Sequence, residues 1–140
     1  MTVFLKSRLF PQPVRADIAF ANQALSNAEW KAATVLAGAA AEALLHWAIT
    51  RKKPSDVEGA RAAVNSSASK NLDVWNLDGY IKVAKHLALI EDETEKQADL
   101  AREFRNLIHP GRAARLAKVC GRGTALSALA AVEFIVRDLS

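Results

Sequence analysis

A single cysteine, Cys120, leaves no route to an intramolecular disulfide, and no Cys/His group has the spacing of a structural zinc site. A reducing cytosol is the expected setting. No stretch alternates apolar and polar residues as a half-buried strand does, and no glycine-rich loop precedes a helix, so nucleotide-binding α/β folds are poor candidates. Met1 to Arg15 lacks the unbroken apolar run of a secretory signal, because Lys6, Arg8, Pro11 and Pro13 interrupt it. The longest apolar run, Ala32 to Ile49, approaches the length of a membrane span. It is mostly alanine, however, and it holds Glu42 and His46, which are costly in hydrocarbon. A buried core helix is therefore expected, with no membrane partner.

What is present is apolar residues at helical spacing. A chain of 140 residues, 51% of them hydrophobic, suits one domain spanning 1–140, with 1–13 as an N-terminal tail. Val14, Ile18, Ala21 and Leu25 mark a first helix over Val14 to Leu25, with Pro13 near its start. A second runs from Ala28 to Thr50, apolar around nearly its whole circumference, as the central member of a bundle should be. Arg51 to Asn76 reads as a long connection with a short helix begun by Ser55 and Glu58 in capping-box spacing. Leu77 to Leu89 forms the third principal helix, started by Asn76 or Asp78, and Asp92 to His109 the fourth, with Asp92 and Glu95 repeating the capping pattern. Pro110 and Gly111 stop it. A short helix over Arg112 to Val119 and a last one from Thr124 to Leu139 complete the chain. The expected fold is all-α, an antiparallel bundle of four principal helices closed by a C-terminal helix.

On the fourth helix, Ala101, Phe104, Leu107 and Ile108 fall on one side, while Arg102, Arg105, Asn106 and His109 fall on the other. Two guanidinium groups and an imidazole on one stripe form a reasonable phosphate site, since guanidinium matches phosphate geometry and histidine exchanges protons near neutral pH. The plainer role is also open. Basic residues in a last turn compensate the helix dipole, and Asp99 can pair with Arg102 across one turn. Arg112, Arg115, Lys118 and Arg122 continue past His109 without an acidic residue, which either extends a nucleic-acid surface or is solvated charge. The net charge of +4 permits an acidic partner without demonstrating one.

The segment from Leu100 to Arg112, above all Arg105-Asn106-Leu107-Ile108-His109-Pro110-Gly111, resembles the signature helix of the HEPN superfamily of small helical domains. Ala40-Ala41-Glu42-Ala43-Leu44-Leu45 is similar to that superfamily's earlier core helix. Ribonuclease members carry an Arg and, after four to six intervening residues, a His, usually with a polar residue directly after the Arg. Arg102 has six residues between it and His109 but is followed by Glu103, whereas Arg105 is followed by Asn106 but has only three. Both assignments stay open. The resemblance implies a metal-independent endoribonuclease or RNA-binding relative, cytoplasmic, of the toxin–antitoxin or phage-defence kind. It would be a homodimer with RNA and an antitoxin protein as partners, and no metal or cofactor is expected. His109 would assist proton transfer as a 2′-hydroxyl attacks the adjacent phosphate, with Arg102 or Arg105 stabilising charge and Asn106 alongside. The alternatives are a non-enzymatic helical dimerisation module and a small-molecule pocket between helices.

Glu42 and His46 lie one turn apart on a helix expected to be largely buried, so they pair with each other or Glu42 meets an arginine of the motif helix. Such pairing is favoured over a metal site, which needs more converging ligands. Trp30, Trp47 and Trp75 are too dispersed for a base-stacking platform and should fill the core or an interface, and His86 has no evident role.

Overall fold

A computed structural model of the chain describes residues 9–106 and 120–140. The fold is all-α. Six helices are described: α1 (Gln12–Ser26), α2 (Trp30–Thr50), α3 (Pro54–Val64), α4 (Leu77–His86), α5 (Asp92–Asn106) and α6 (Arg122–Leu139), with a 3₁₀ turn at Leu72–Val74 and no strand among the described residues. The expected helix over Arg112 to Val119, and the last turn to His109, lie outside the described residues.

α2 is the central element, packed by α1, α4, α5 and α6. Its small residues explain how so many neighbours fit. Ala33, Ala37, Gly38, Ala40 and Ala41 are buried, and Leu44, Leu45 and Ile49 supply the larger side chains further along. α1 buries Val14, Ile18, Ala21 and Ala24, and α6 buries Ala125, Ala128, Ala131, Val132, Ile135 and Val136. α2 is long and apolar enough to cross a membrane, yet 56% of its most apolar window is buried inside the fold. Interior packing accounts for that apolarity.

α5 and α6 run antiparallel, since partners descend in number on α6 as they ascend on α5. Arg137 bonds Glu93 at 3.1 Å, and Gln97 bonds the Ser127 carbonyl at 3.0 Å and its hydroxyl at 2.9 Å. Glu91 N–H donates to the Asp138 carboxylate at 3.0 Å, fastening the entry of α5 to the end of α6. Trp75 is buried and Trp47 packs edge-on against Phe10 at 5.0 Å, so the Trp side chains contribute to packing. Phe10 is itself buried, and α1 begins at Gln12, so the expected tail meets the core before residue 13.

Two helix ends differ from expectation for one physical reason. Ala28, expected to begin the second helix, is left-handed at φ 58°, and so is Ala88, expected inside the third. At each site the chain closes a Schellman cap: Glu29 N–H donates to Ala24 and Ala28 N–H to Leu25, and likewise Leu89 to Ala84 and Ala88 to Lys85. α4 therefore ends at His86, and α2 begins at Trp30. Alanine occupies the position where glycine would carry no Cβ penalty. Both alanines are exposed. Ala28→Gly and Ala88→Gly should each raise unfolding free energy by about 1 kcal/mol, read as a higher denaturant midpoint at unchanged slope. An unchanged or lower midpoint would contradict the strain.

The starts of the helices also depart in part. Asn76 caps α4 as expected, its side chain accepting from Gly79 N–H at 2.8 Å. Ser55 makes no cap: α3 starts at Pro54, whose missing N–H suits a first helical position, and Glu58 bonds Arg61 instead. Asp92 is the first helical residue of α5 and pairs with Lys85 at 3.0 Å. α6 begins at Arg122, with Gly121 as its cap residue, two residues before Thr124.

Candidate functional site

The buried line of α5 is Thr94, Ala98 and Ala101. At about 100° per residue, Arg105 lies only ~40° round from Ala101, on the continuation of that line. Arg105 is therefore not on an outward basic stripe. Its stem lies against α2, where a Cβ added at Gly38 would stand 3.0 Å from Arg105 Cδ. One turn further along α2, Glu42 Oε2 accepts from Arg105 Nη1 at 2.7 Å, both side chains being part-exposed. Glu42 thus meets an arginine of the motif helix, one of the two pairings expected.

His46 takes a different partner. Its Nε2 is 2.8 Å from Asp73 Oδ1, on the 3₁₀ turn, and it makes no hydrogen bond to Glu42. A carboxylate only accepts, so Nε2 carries the proton and a neutral ring leaves Nδ1 as an acceptor. Tyr80 on α4 stands edge-on to the His46 ring at 5.8 Å and donates its hydroxyl hydrogen to the Leu72 carbonyl at 2.7 Å. Burial, reinforced by the Glu42 and Asp73 charges, pushes the Tyr80 phenol above its ordinary pKa, keeping it protonated. Ala39, Glu42, Ala43, His46, Tyr80 and Arg105 line a shallow cavity of about 280 Å³. It lies where α2, α4 and α5 meet.

Arg102 points elsewhere. Its Nε lies 3.8 Å from an oxygen of Asp78 on α4 and 3.8 Å from one of Asp99, the residue expected to pair with it, and has no hydrogen-bond partner among the described residues. Burial pushes the Asp99 carboxyl up, against the opposing pull of Arg102. The two arginines thus attach α5 to different helices. The Asn106 backbone is the last described residue of α5, while His109, Arg112, Arg115 and Lys118 lie outside the described residues.

Asp73 and Tyr80 belong to no motif in the sequence. Helical periodicity could place Tyr80 near the core but offers no link between α2 and a 3₁₀ turn 27 residues away. Among the described residues no three His, Cys, Asp or Glu side chains converge as a metal site requires. Cys120 Sγ is 3.1 Å from the buried Thr34 hydroxyl. A second cavity of about 290 Å³ beside Trp75 includes Lys52, Lys70 and Arg61. There Arg61 is already occupied by Glu58 and by the Ser66 and Ala68 carbonyls. No protein-family model matches the chain, nor does any curated protein or solved structure.

Proposed function

We propose that this is a HEPN-like protein that binds single-stranded RNA at the C-terminal half of α5, with Arg105 as a phosphate ligand. The observation that carries the reading is the fixing of Arg105. Glu42 holds one nitrogen at 2.7 Å and the stem rests on Gly38, while the guanidinium borders an open cavity. A guanidinium offers five N–H donors, and among the described residues this one donates only to Glu42. Holding it in place beforehand reduces the entropy lost when a phosphate arrives. The net charge of +4 assists encounter with a polyanion. In the fuller form of the proposal His109 serves proton transfer in a metal-independent cleavage, within a cytoplasmic homodimer of the toxin–antitoxin or phage-defence kind. An antitoxin protein would be its partner, and Arg112, Arg115 and Lys118 would extend the RNA surface.

Fluorescence anisotropy with a labelled single-stranded RNA tests the binding. Affinity should fall as salt rises, with a log–log slope of about −0.7 per neutralised phosphate, and Arg105→Ala should weaken binding and flatten the slope by about one phosphate. No binding at low salt by a folded protein would overturn the proposal. A second reading, a non-enzymatic helical dimerisation module, is favoured by a specific observation: both motif arginines face carboxylates of their own fold, Glu42 for one and Asp78 with Asp99 for the other. On that reading light scattering finds a dimer, RNA binding is absent, and the arginine variants change stability alone.

A further inference from the structure

We propose that the cavity between α2, α4 and α5 is a base pocket, and that the base it takes is guanine. The inference deepens the RNA-binding reading and rests on it for the polymer, though not for the base. Three features of the cavity lead to it.

The first is shape. Ala39 and Ala43 sit one turn apart on α2 and give the cavity an apolar wall, while His46 and Tyr80 make an aromatic corner, their rings 5.8 Å apart at 85°. At about 280 Å³ the space lies at the lower end for a ligand site, which suits one planar ring system rather than an extended molecule. The second is polarity. Glu42 and Arg105, bonded at 2.7 Å, present a carboxylate beside a guanidinium, and Glu42 Oε1 accepts nothing among the described residues. A ligand must therefore bring hydrogen-bond donors to the carboxylate and, next to them, an acceptor to the arginine.

The third is the match. On its pairing edge guanine carries two adjacent donors, N1–H and the exocyclic amine, followed by the O6 acceptor. The two donors fit a carboxylate bidentately, and O6 then falls to the neighbouring guanidinium. Adenine offers one donor followed by an acceptor, and uracil one donor between two acceptors, so each satisfies Glu42 once. A carboxylate oxygen covered by the wrong base and left without a donor supplies the discrimination. His46, fixed through Asp73, holds its ring at the rim of the cavity.

The test uses the full chain and two labelled 2′-O-methyl strands of equal length, one all adenine and one with a single guanine, since a 2′-O-methyl group prevents attack by the neighbouring oxygen. Calorimetry with guanosine and adenosine monophosphates runs alongside. The guanine strand and guanosine monophosphate should bind about tenfold more tightly than their adenine counterparts. Glu42→Gln should abolish that ratio, bringing the guanine strand down to the affinity of the all-adenine strand with the same variant. Ala39→Leu should abolish it too, by filling the cavity without touching the ion pair, and guards against a Glu42 variant that fails to fold. Equal binding of both strands overturns the guanine pocket and leaves RNA binding standing. Selective mononucleotide binding without strand binding supports the pocket and removes the RNA reading. Absence of all binding overturns both.

Discussion

Leu44→Ala should lower the free energy of unfolding by about 3–5 kcal/mol, a large part of what a domain of this size possesses. Leu44 is fully buried, and so is its neighbour Leu45. The surrounding core is rich in alanine: Ala37, Ala40 and Ala41 on the same helix, Ala128 and Ala131 on α6, Ala98 and Ala101 on α5. Alanines allow backbones to approach closely but contribute little apolar area each, so larger side chains such as Leu44 carry a disproportionate share of the burial. They also limit relaxation. Helices packed closely through alanine cannot collapse into a cavity without moving whole elements, which puts the cost towards the upper part of the range. Denaturant titration should show a lower midpoint with the slope preserved, and Leu126→Ala, 43% exposed on α6, should change the midpoint little. A Leu44 loss below about 1 kcal/mol would mean that α2 is not the packed centre of the fold.

The alanine-rich packing also explains what the sequence disclosed and what it did not. Helix number and type were legible for α1, α2, α4, α5 and α6, because apolar residues recur there at helical spacing and Asn76 and Pro13 stand near helix starts. The left-handed alanines were not legible. A Schellman cap announces itself through glycine or asparagine at its left-handed position, and Ala28 and Ala88 carry neither signal. The facing of α5 is legible only in part, for a related reason: Ala101 is buried as expected, but Arg105 does not lie on the opposite side. Hydrophobicity points Phe104 to the core side, yet the fully buried residues of the helix are Thr94, Ala98 and Ala101, the small residues that let it approach its neighbours. With the face rotated, Arg105 turns inward onto Gly38 and Glu42 and ceases to share one outward stripe with Arg102. Gly38 was visible as a small residue on α2, but that it makes room for an arginine stem required the two helices to be placed together. Glu42 was recoverable because a carboxylate on so apolar a helix must find a donor. Asp73 was not, since its tie to His46 depends on how the connection after α3 folds back.

Cleavage of single-stranded RNA in the presence of chelator is the stronger form of the functional proposal, and its largest expected effect is at His109. His109→Ala should reduce the rate by about 10²–10⁴-fold, the range for removing a positioned proton-transfer group, with the helical circular dichroism unchanged. The wild-type product should end in a 2′,3′-cyclic phosphate or its opened form. The arginines need a more careful comparison, because a plain Arg105→Ala variant confounds chemistry with structure. It leaves the Glu42 carboxylate, part-buried and 2.7 Å from Arg105 Nη1 in the native fold, without its partner. The double variant Arg105→Ala with Glu42→Ala removes the orphaned charge as well, so stability should partly return relative to the single variant. If Arg105 stabilises the charge of the reacting phosphate, activity stays lost in the double variant although stability has recovered. Recovery of activity together with stability would assign Arg105 a structural role and pass the motif position to Arg102. Arg102→Ala then becomes decisive. Its Nε is 3.8 Å from both Asp78 and Asp99 and makes no hydrogen bond among the described residues, so its loss breaks longer, weaker pairings than the 2.7 Å bond of Arg105. An activity loss matching that of His109→Ala, at nearly unchanged stability, would identify Arg102 as the motif arginine despite the Glu103 that follows it.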